Sequence, residues 1–387
     1  MDTVLRANPG YQLVLLDRLS PSGQSRFRAG YDGDDLYGAL MPVNGSRLEP
    51  RAVSSETALL LLTLAAPGPL PRFVGERLGA DTERTVQRLV LDEVLQVLCD
   101  GEFVSGSGAV AIPARAAGDG GRARTQELAV AALKYGQRLS GLSAEDLGRR
   151  LYSYGRQPIS PQLRRRFGST LAIGEHLGLA PGGRVRSMLP DGWSEMASPV
   201  GARRDVHWWQ WGYRPALTRT QRGGGHKLYV SPALDGLSEA LEQVVSVVVT
   251  VPSVRGFKVG AGIEGICRPD KIVVYVEGLD GIGAVTDRLG PVLSGCQAHG
   301  VPFTAAVSQD GLLSWGIDPP RRKSITVRAV SWRMWLTQRL ARHITEYVPS
   351  DKLEAWQFAI ERLGLSGVDT RTWSPVGGLW LGSVDED

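Results

Sequence analysis

The sequence predicts an α+β protein, and three observations carry that prediction. An opening block reads as short strands followed by helices, an arginine-rich middle reads as helical, and from residue 226 onward strands and helices alternate. The composition suits folded protein: 42% hydrophobic and 22% charged over 387 residues leaves room for two or three cores. The longest apolar run, Ala58–Ala66, stops at Pro67 and is too short to span a membrane. The first residues lack the basic-then-apolar order of a secretion signal, so a cytoplasmic chain is expected. Cys99, Cys267 and Cys296 have no CxxC spacing and read as buried free thiols, neither a disulfide framework nor a zinc site.

Residues 1–113 read as one domain. Gln12–Leu16, Ser25–Arg28 and Asp35–Leu40 are strand candidates separated by Pro, Ser and Gly-rich turns. Ser55 opens a Leu-rich helix, Pro71 starts a second over 72–78, and Asp81 caps a third expected from Thr82 to Leu98. A short strand, Glu102–Val104, closes the block. This order is similar to the winged-helix-like domains that bind leader peptides in bacterial peptide-modifying systems, the PqqD-like elements. A winged helix that reads DNA is the rival. Its third helix would carry only Arg84 and Arg88 against Glu83, Asp92 and Glu93, which is poor for phosphate contacts, so no nucleic-acid partner is expected.

Residues 114–124 are a linker by composition. Residues 125–225 form the helical middle, with helices expected over 125–139 and from a Ser143 cap to Tyr152. Between Gly141 and Lys227 there are 14 basic against 6 acidic residues, a surplus that favours a phosphorylated or polyanionic partner. His207-Trp-Trp-Gln-Trp211 reads as a loop that packs its indoles on a neighbour. Residues 226–387 form an α/β domain with a mixed sheet. Strands are expected at 226–231, 256–260, 271–276, 303–304 and 312–315, with helices at 237–248 and 282–293 and a Ser331-capped helix to about Tyr347.

Common catalytic signatures are missing: no phosphate loop, no GxSxG elbow, no HExxH, and five scattered histidines. The lysines are more informative. Only 6 of 44 basic residues are lysine, and Lys227, Lys258 and Lys271 fall close together in the C-terminal domain. Lysine, unlike arginine, can lose its proton when desolvated. Lys227 and Tyr229 share one face of a strand, Lys258 lies between Gly256 and Gly260, and Tyr275 shares a face with Lys271. Arg268 and Asp270 stand at a strand entrance, and Arg333 lies in the first turn of the last helix. Such a set could hold one dianionic phosphate, or its cations could simply reach water while Asp270 pairs with Arg268.

From about 227 to 343 the chain resembles the HopA-type effector family, named for secreted effectors of plant pathogens. The resemblance lies in the order Lys-Leu-Tyr-Val (227–230), Gly-Phe-Lys-Val (256–259), Arg-Pro-Asp-Lys-Ile-Val-Val-Tyr (268–275), Val-Pro-Phe-Thr (301–304), Gly-Ile-Asp-Pro-Pro (316–320) and Ser-Trp-Arg (331–333). Relatives of that domain accompany small kinases in lanthipeptide and thioamide-peptide biosynthesis. There they eliminate phosphate from phosphoserine or phosphothreonine to give dehydroalanine or dehydrobutyrine. The resemblance implies Lys258 as the base. It implies Tyr229 or His226 as the acid, with Lys227, Arg268, Asp270, Lys271, Tyr275 and Arg333 around the phosphate. It implies no metal and no other cofactor. The expected partners are a phosphorylated precursor peptide with its leader and a Ser/Thr peptide kinase, with no membrane. The alternative is a non-catalytic peptide-binding scaffold that activates a partner kinase.

Overall fold

The structure, a computed structural model, describes residues 3–31, 34–43, 46–78, 82–99, 101–109, 123–139, 141–197, 208–213, 225–319, 330–349 and 353–376. The linker apart from its last two residues, the Asp81 cap, His207 and Pro320 lie outside them. The chain divides into two compact units, one of residues 1–117 with 346–366 and one of residues 118–345 with 367–387. Among the described residues no helix is long and apolar enough to cross a membrane.

The smaller unit holds β1 (Val4–Ala7), β2 (Tyr11–Leu15), α1 (Pro21–Gly30), β3 (Leu36–Pro42), β4 (Arg51–Ser54), α2 (Ser55–Thr63), β5 (Gly68–Pro69), α3 (Arg72–Leu78), α4 (Thr82–Leu91), β6 (Leu95–Cys99) and β7 (Glu102–Val104). They make two antiparallel sheets, β5-β1-β6-β7 and β2-β3-β4. Leu5, Leu40, Val53, Leu61, Leu64 and Leu95 lie in their shared core. Two expectations fail here. Ser25–Arg28 is helical, because Ser20 caps α1 by accepting from Gly23 N at 3.2 Å and Pro21 presets the first helical turn. The helix expected to Leu98 ends at Leu91, since Glu93 takes a left-handed turn (φ 60°) and Asn8 binds its carbonyl at 2.6 Å. Beyond that turn Leu95 and Val97 alternate as β6 rather than continuing a helix face.

A later helix, Ala355–Leu365, belongs to this unit. Its buried Arg362 pairs with Asp92 and donates to Leu91 O at 3.2 Å, closing the exposed end of α4.

The larger unit begins with helices α5 (Arg124–Gln137), α6 (Ala144–Tyr152), α7 (Pro161–Arg166), α8 (Thr170–His176) and α9 (Arg184–Ser187). Ser143, Ser160 and Ser169 each cap the helix that follows. Then come β8 (Trp193–Ala197), β9 (Trp208–Tyr213), β10 (His226–Val230), α10 (Leu237–Val248), β11 (Val254–Gly260), α11 (Gly262–Ile266), β12 (Ile272–Val276), α12 (Gly278–Val292), β13 (Ala305–Ala306), β14 (Leu313–Ile317) and α13 (Trp332–Thr345). Seven strands form one sheet in the order β13-β14-β10-β12-β11-β9-β8.

The α+β class holds, but the sheet is antiparallel at every described pairing rather than mixed. The strand–helix–strand rhythm explains why sequence misleads on this point. Helix α10 joins β10 to β11, which run parallel, and β12 is inserted between them; the chain from β12 runs through α12 and β13 to β14, which is parallel to β12 with β10 between them. The middle is also no separate body. The Trp-rich stretch expected as a loop is β9, which pairs with β11, so 118–345 is one unit with no boundary at 225/226.

One sheet face is apolar. Leu228, Val230, Phe257, Val259, Val274, Trp209 and Trp211 are buried against Leu241, Val244 and Val248 of α10 and Val285 and Leu289 of α12. The alternation that buries these residues turns Lys227, Tyr229, Lys258, Val273, Tyr275, Trp208 and Gln210 to the other face. Of the cysteines only Cys267 is fully buried; Cys99 and Cys296 are partly exposed free thiols.

Candidate functional site

The second sheet face carries chemistry. Register places Tyr229, Val273, Lys258 and Gln210 in one row across β10, β12, β11 and β9, with Lys227 and Tyr275 opposite each other in the next row. Lys258 and Tyr229 are therefore two strand spacings, about 10 Å, apart at Cα. The glycines beside Lys258 leave room for backbone: a Cβ at Gly256 would meet Trp211 O at 2.5 Å, and one at Gly260 would meet the Gly265 backbone at 2.4 Å. The close neighbour at each glycine is the protein's own backbone.

Asp270 anchors the cluster. Its carboxylate, 6% exposed, accepts from Arg268 Nε at 2.8 Å and Nη2 at 2.9 Å, and pairs with Arg333 Nη1 at 2.8 Å. The Tyr152 hydroxyl donates to Asp270 Oδ2 at 3.3 Å and accepts from Arg268 Nη2 at 2.8 Å. Burial alone would raise the Asp270 carboxyl, but Arg333 and Arg268 outweigh it and hold it well below the ordinary carboxylate range. Burial likewise disfavours the Arg268 cation, yet Asp270 raises its pKa further above the usual value.

Arg333 is 1% exposed and donates from Nε to Pro302 O at 3.1 Å and from Nη2 to Tyr152 O at 2.9 Å. Its Nε and Nη2 are spent on protein carbonyls and its Nη1 faces Asp270, so it props Asp270 and α6. Lys227 pairs with Asp318, whose other oxygen accepts from Trp332 N at 3.1 Å, satisfying a donor at the start of α13. Ser331 Oγ accepts from Met334 N at 3.4 Å, so the expected cap of that helix is present.

Lys258 differs from these. Among the described residues it makes no hydrogen bond and no ion pair. Its ammonium sits over two rings, Trp208 at 4.1 Å and Tyr275 at 5.8 Å from the centroids. Burial lowers its pKa to about 8, with Lys227 and Arg268 adding to the fall and Asp270 and Asp318 opposing it. The same geometry extends across the face as an alternation of cations and rings. Lys227 lies 5.7 Å from Tyr275, Arg268 lies 5.1 Å from Trp208 and 5.3 Å from Tyr152, and Arg333 lies 4.7 Å from Tyr152. Four cations meet two carboxylates here, so two positive charges stay uncompensated among the described residues while Lys258 is protonated.

Two expected site residues stand elsewhere. His226 points to the apolar face and stacks on Trp315 at 6.4 Å, because its side chain alternates with Lys227. Lys271 is fully buried and donates to Pro232 O at 2.7 Å and, at 2.8 Å, to His299 Nδ1, whose Nε2 meets Gly155 O at 2.5 Å. Burial lowers Lys271 to about 7, and burial with Lys271 beside it lowers His299 to about 4, so a neutral imidazole accepts at Nδ1. This pair ties the turn after α6 to the sheet. Tyr229 is 3% exposed, and burial, then Asp318, raise its pKa well above the usual value, which keeps the phenol protonated. Tyr275 is raised for the same two reasons. Sequence reasoning missed Trp208 and Tyr152. Neither carries a sequence signal: Trp208 lies in a run of tryptophans that does not itself alternate, and Tyr152 ends an ordinary helix.

No family model and no curated protein matches the chain. Among solved structures, an effector protein from Pseudomonas syringae pv. tomato strain DC3000 is similar at 12% identity, covering 65% of this chain and 98% of that chain with a TM-score of 0.40. A second, from Pseudomonas syringae pv. syringae strain 61, is similar at 12% identity with the same coverage and a TM-score of 0.41. Scores of this size mark a remote likeness without residue-by-residue correspondence.

Proposed function

We propose that the polar sheet face is the active site of a peptide phosphoserine/phosphothreonine lyase. One observation carries the proposal: Lys258 lies over the rings of Trp208 and Tyr275 with no carboxylate partner among the described residues, beside Lys227 and Arg268, which are paired with Asp318 and Asp270, and its burial lowers its pKa to about 8. With Lys258 neutral one positive charge stays uncompensated among the described residues, and a phosphomonoester dianion would be held against it by Lys227 and the side of Arg268 not bound to Asp270. Neutral Lys258 would take the Cα proton. The Cα–H electrons form the Cα=Cβ bond as the Cβ–O bond breaks, and the phosphate leaves with that bonding pair, accepting a proton from a phenol. Tyr229 suits that role because it stays protonated on the same face; His226, on the other face, does not. The precursor peptide, a leader held by the N-terminal unit and a partner kinase are parts of this proposal.

The mass of a phosphothreonine peptide after incubation tests it. A lyase removes phosphoric acid and leaves an alkene. A phosphatase leaves a hydroxyl, heavier by one water, and a kinase-activating scaffold leaves the phosphopeptide unchanged. Either of the last two outcomes, with leader peptide and kinase present, rules the proposal out.

A further inference from the structure

Trp208 stands at the middle of the alternation of rings and cations. It lies on β9 two residues from Gln210, the cross-strand partner of Lys258, so it reaches Lys258 along the sheet diagonal. Its ring centroid is 4.1 Å from Lys258 Nζ and 5.1 Å from the Arg268 guanidinium carbon. Arg268 is fixed by two bonds to Asp270, whereas Lys258 has no polar tether among the described residues. The two cations repel, yet both lie within cation–π range of the same indole, whose π faces attract each, and burial strengthens that attraction.

We propose that Trp208 is a positioning residue of this site: its indole, in contact with both Lys258 and the anchored Arg268, holds the otherwise untethered Lys258 ammonium in place for one anionic group. The inference deepens the reading of this face as an anion site, and its test reads no turnover, so it stands or falls apart from the elimination. A ring that attracts the ammonium also favours the protonated form of Lys258. It therefore opposes the burial that lowers its pKa to about 8.

The test keeps the shape of the ring and weakens its quadrupole. Full-length protein carrying ¹³C-lysine has only six lysines to assign, and Lys258→Arg identifies the signal of interest. Trp208 is then replaced, at that position alone, by progressively fluorinated tryptophans, which weaken the quadrupole at nearly constant size. The Lys258 titration midpoint should fall with each fluorine, by about one pH unit for the most fluorinated ring. Trp208→Leu, which keeps apolar cover without a ring, should give a similar fall, and Trp208→Phe a smaller one. A midpoint that does not move along the fluorinated series, or that rises, overturns the proposal.

Discussion

Replacing Asp270 with asparagine removes the one carboxylate that two buried guanidiniums share. Arg268 meets it through two bonds of 2.8 and 2.9 Å and Arg333 through a 2.8 Å ion pair; the Arg333 side chain is 1% exposed and that of Arg268 19%. An asparagine of the same shape leaves both cations without that counter-charge, Arg333 fully buried and Arg268 largely so. Breaking a buried pair by removing one partner costs about 3–5 kcal/mol, and two cations are affected, so the upper part of that range applies. The assay is denaturant unfolding followed by tryptophan fluorescence, which reports mainly on the larger unit because nine of the ten tryptophans, all but Trp356, belong to it. Acid gives a second reading. A carboxyl held low in the folded state contributes stability above its unfolded pKa of about 3.9 and loses it as pH falls toward the depressed value. The gap between wild type and Asp270→Asn should therefore be full at neutral pH and narrow below about pH 4. A loss under about 1 kcal/mol at pH 7, or a gap that does not change on acidification, refutes the reasoning.

Lys258→Arg keeps the positive charge but not an accessible neutral form, so elimination should fall by about 100-fold or more while a phosphopeptide still binds within a few-fold; single-turnover mass analysis with a binding titration checks both. For wild type, kcat/KM should rise with pH and level off above about 8, because the base works deprotonated and burial lowers Lys258 to about that value. Gly260→Ala would push a Cβ to 2.4 Å from the Gly265 backbone and should cost about 1–3 kcal/mol in unfolding midpoint. His226→Phe, stacked on Trp315 behind the sheet, should leave elimination within about two-fold of wild type, measured by product mass.

Local pattern made much of the fold legible. The helix at 237–248 and the apolar runs of β10, β11 and β12 follow from periodicity and stand where expected. What pattern does not encode is which strands become neighbours. The helical crossovers suggested parallel pairs, yet β12 inserts between β10 and β11, and that insertion brings Lys227, Tyr275 and Lys258 onto adjacent strands. The clustered Lys227 and Lys258 fall on one sheet, and the alternation rule places Lys227 and Tyr229 on one face of it. The same rule, applied one residue earlier, would have excluded His226. Arg333 was placed near Asp270, but its carbonyl partners Pro302 and Tyr152 come from distant segments, so its supporting role was hidden. Trp208 was hidden too, because a run of tryptophans looks like packing until its partner strand is known.

The most direct test of the central claim uses a leader-bearing precursor peptide, its partner kinase and ATP, with either the wild-type protein or Lys258→Arg. Intact-mass analysis should show the wild-type reaction passing through a phosphopeptide to a product lighter by phosphoric acid. The variant reaction should stop at the phosphopeptide. A phosphopeptide that persists with wild-type protein, or that is eliminated equally fast by Lys258→Arg, contradicts the account.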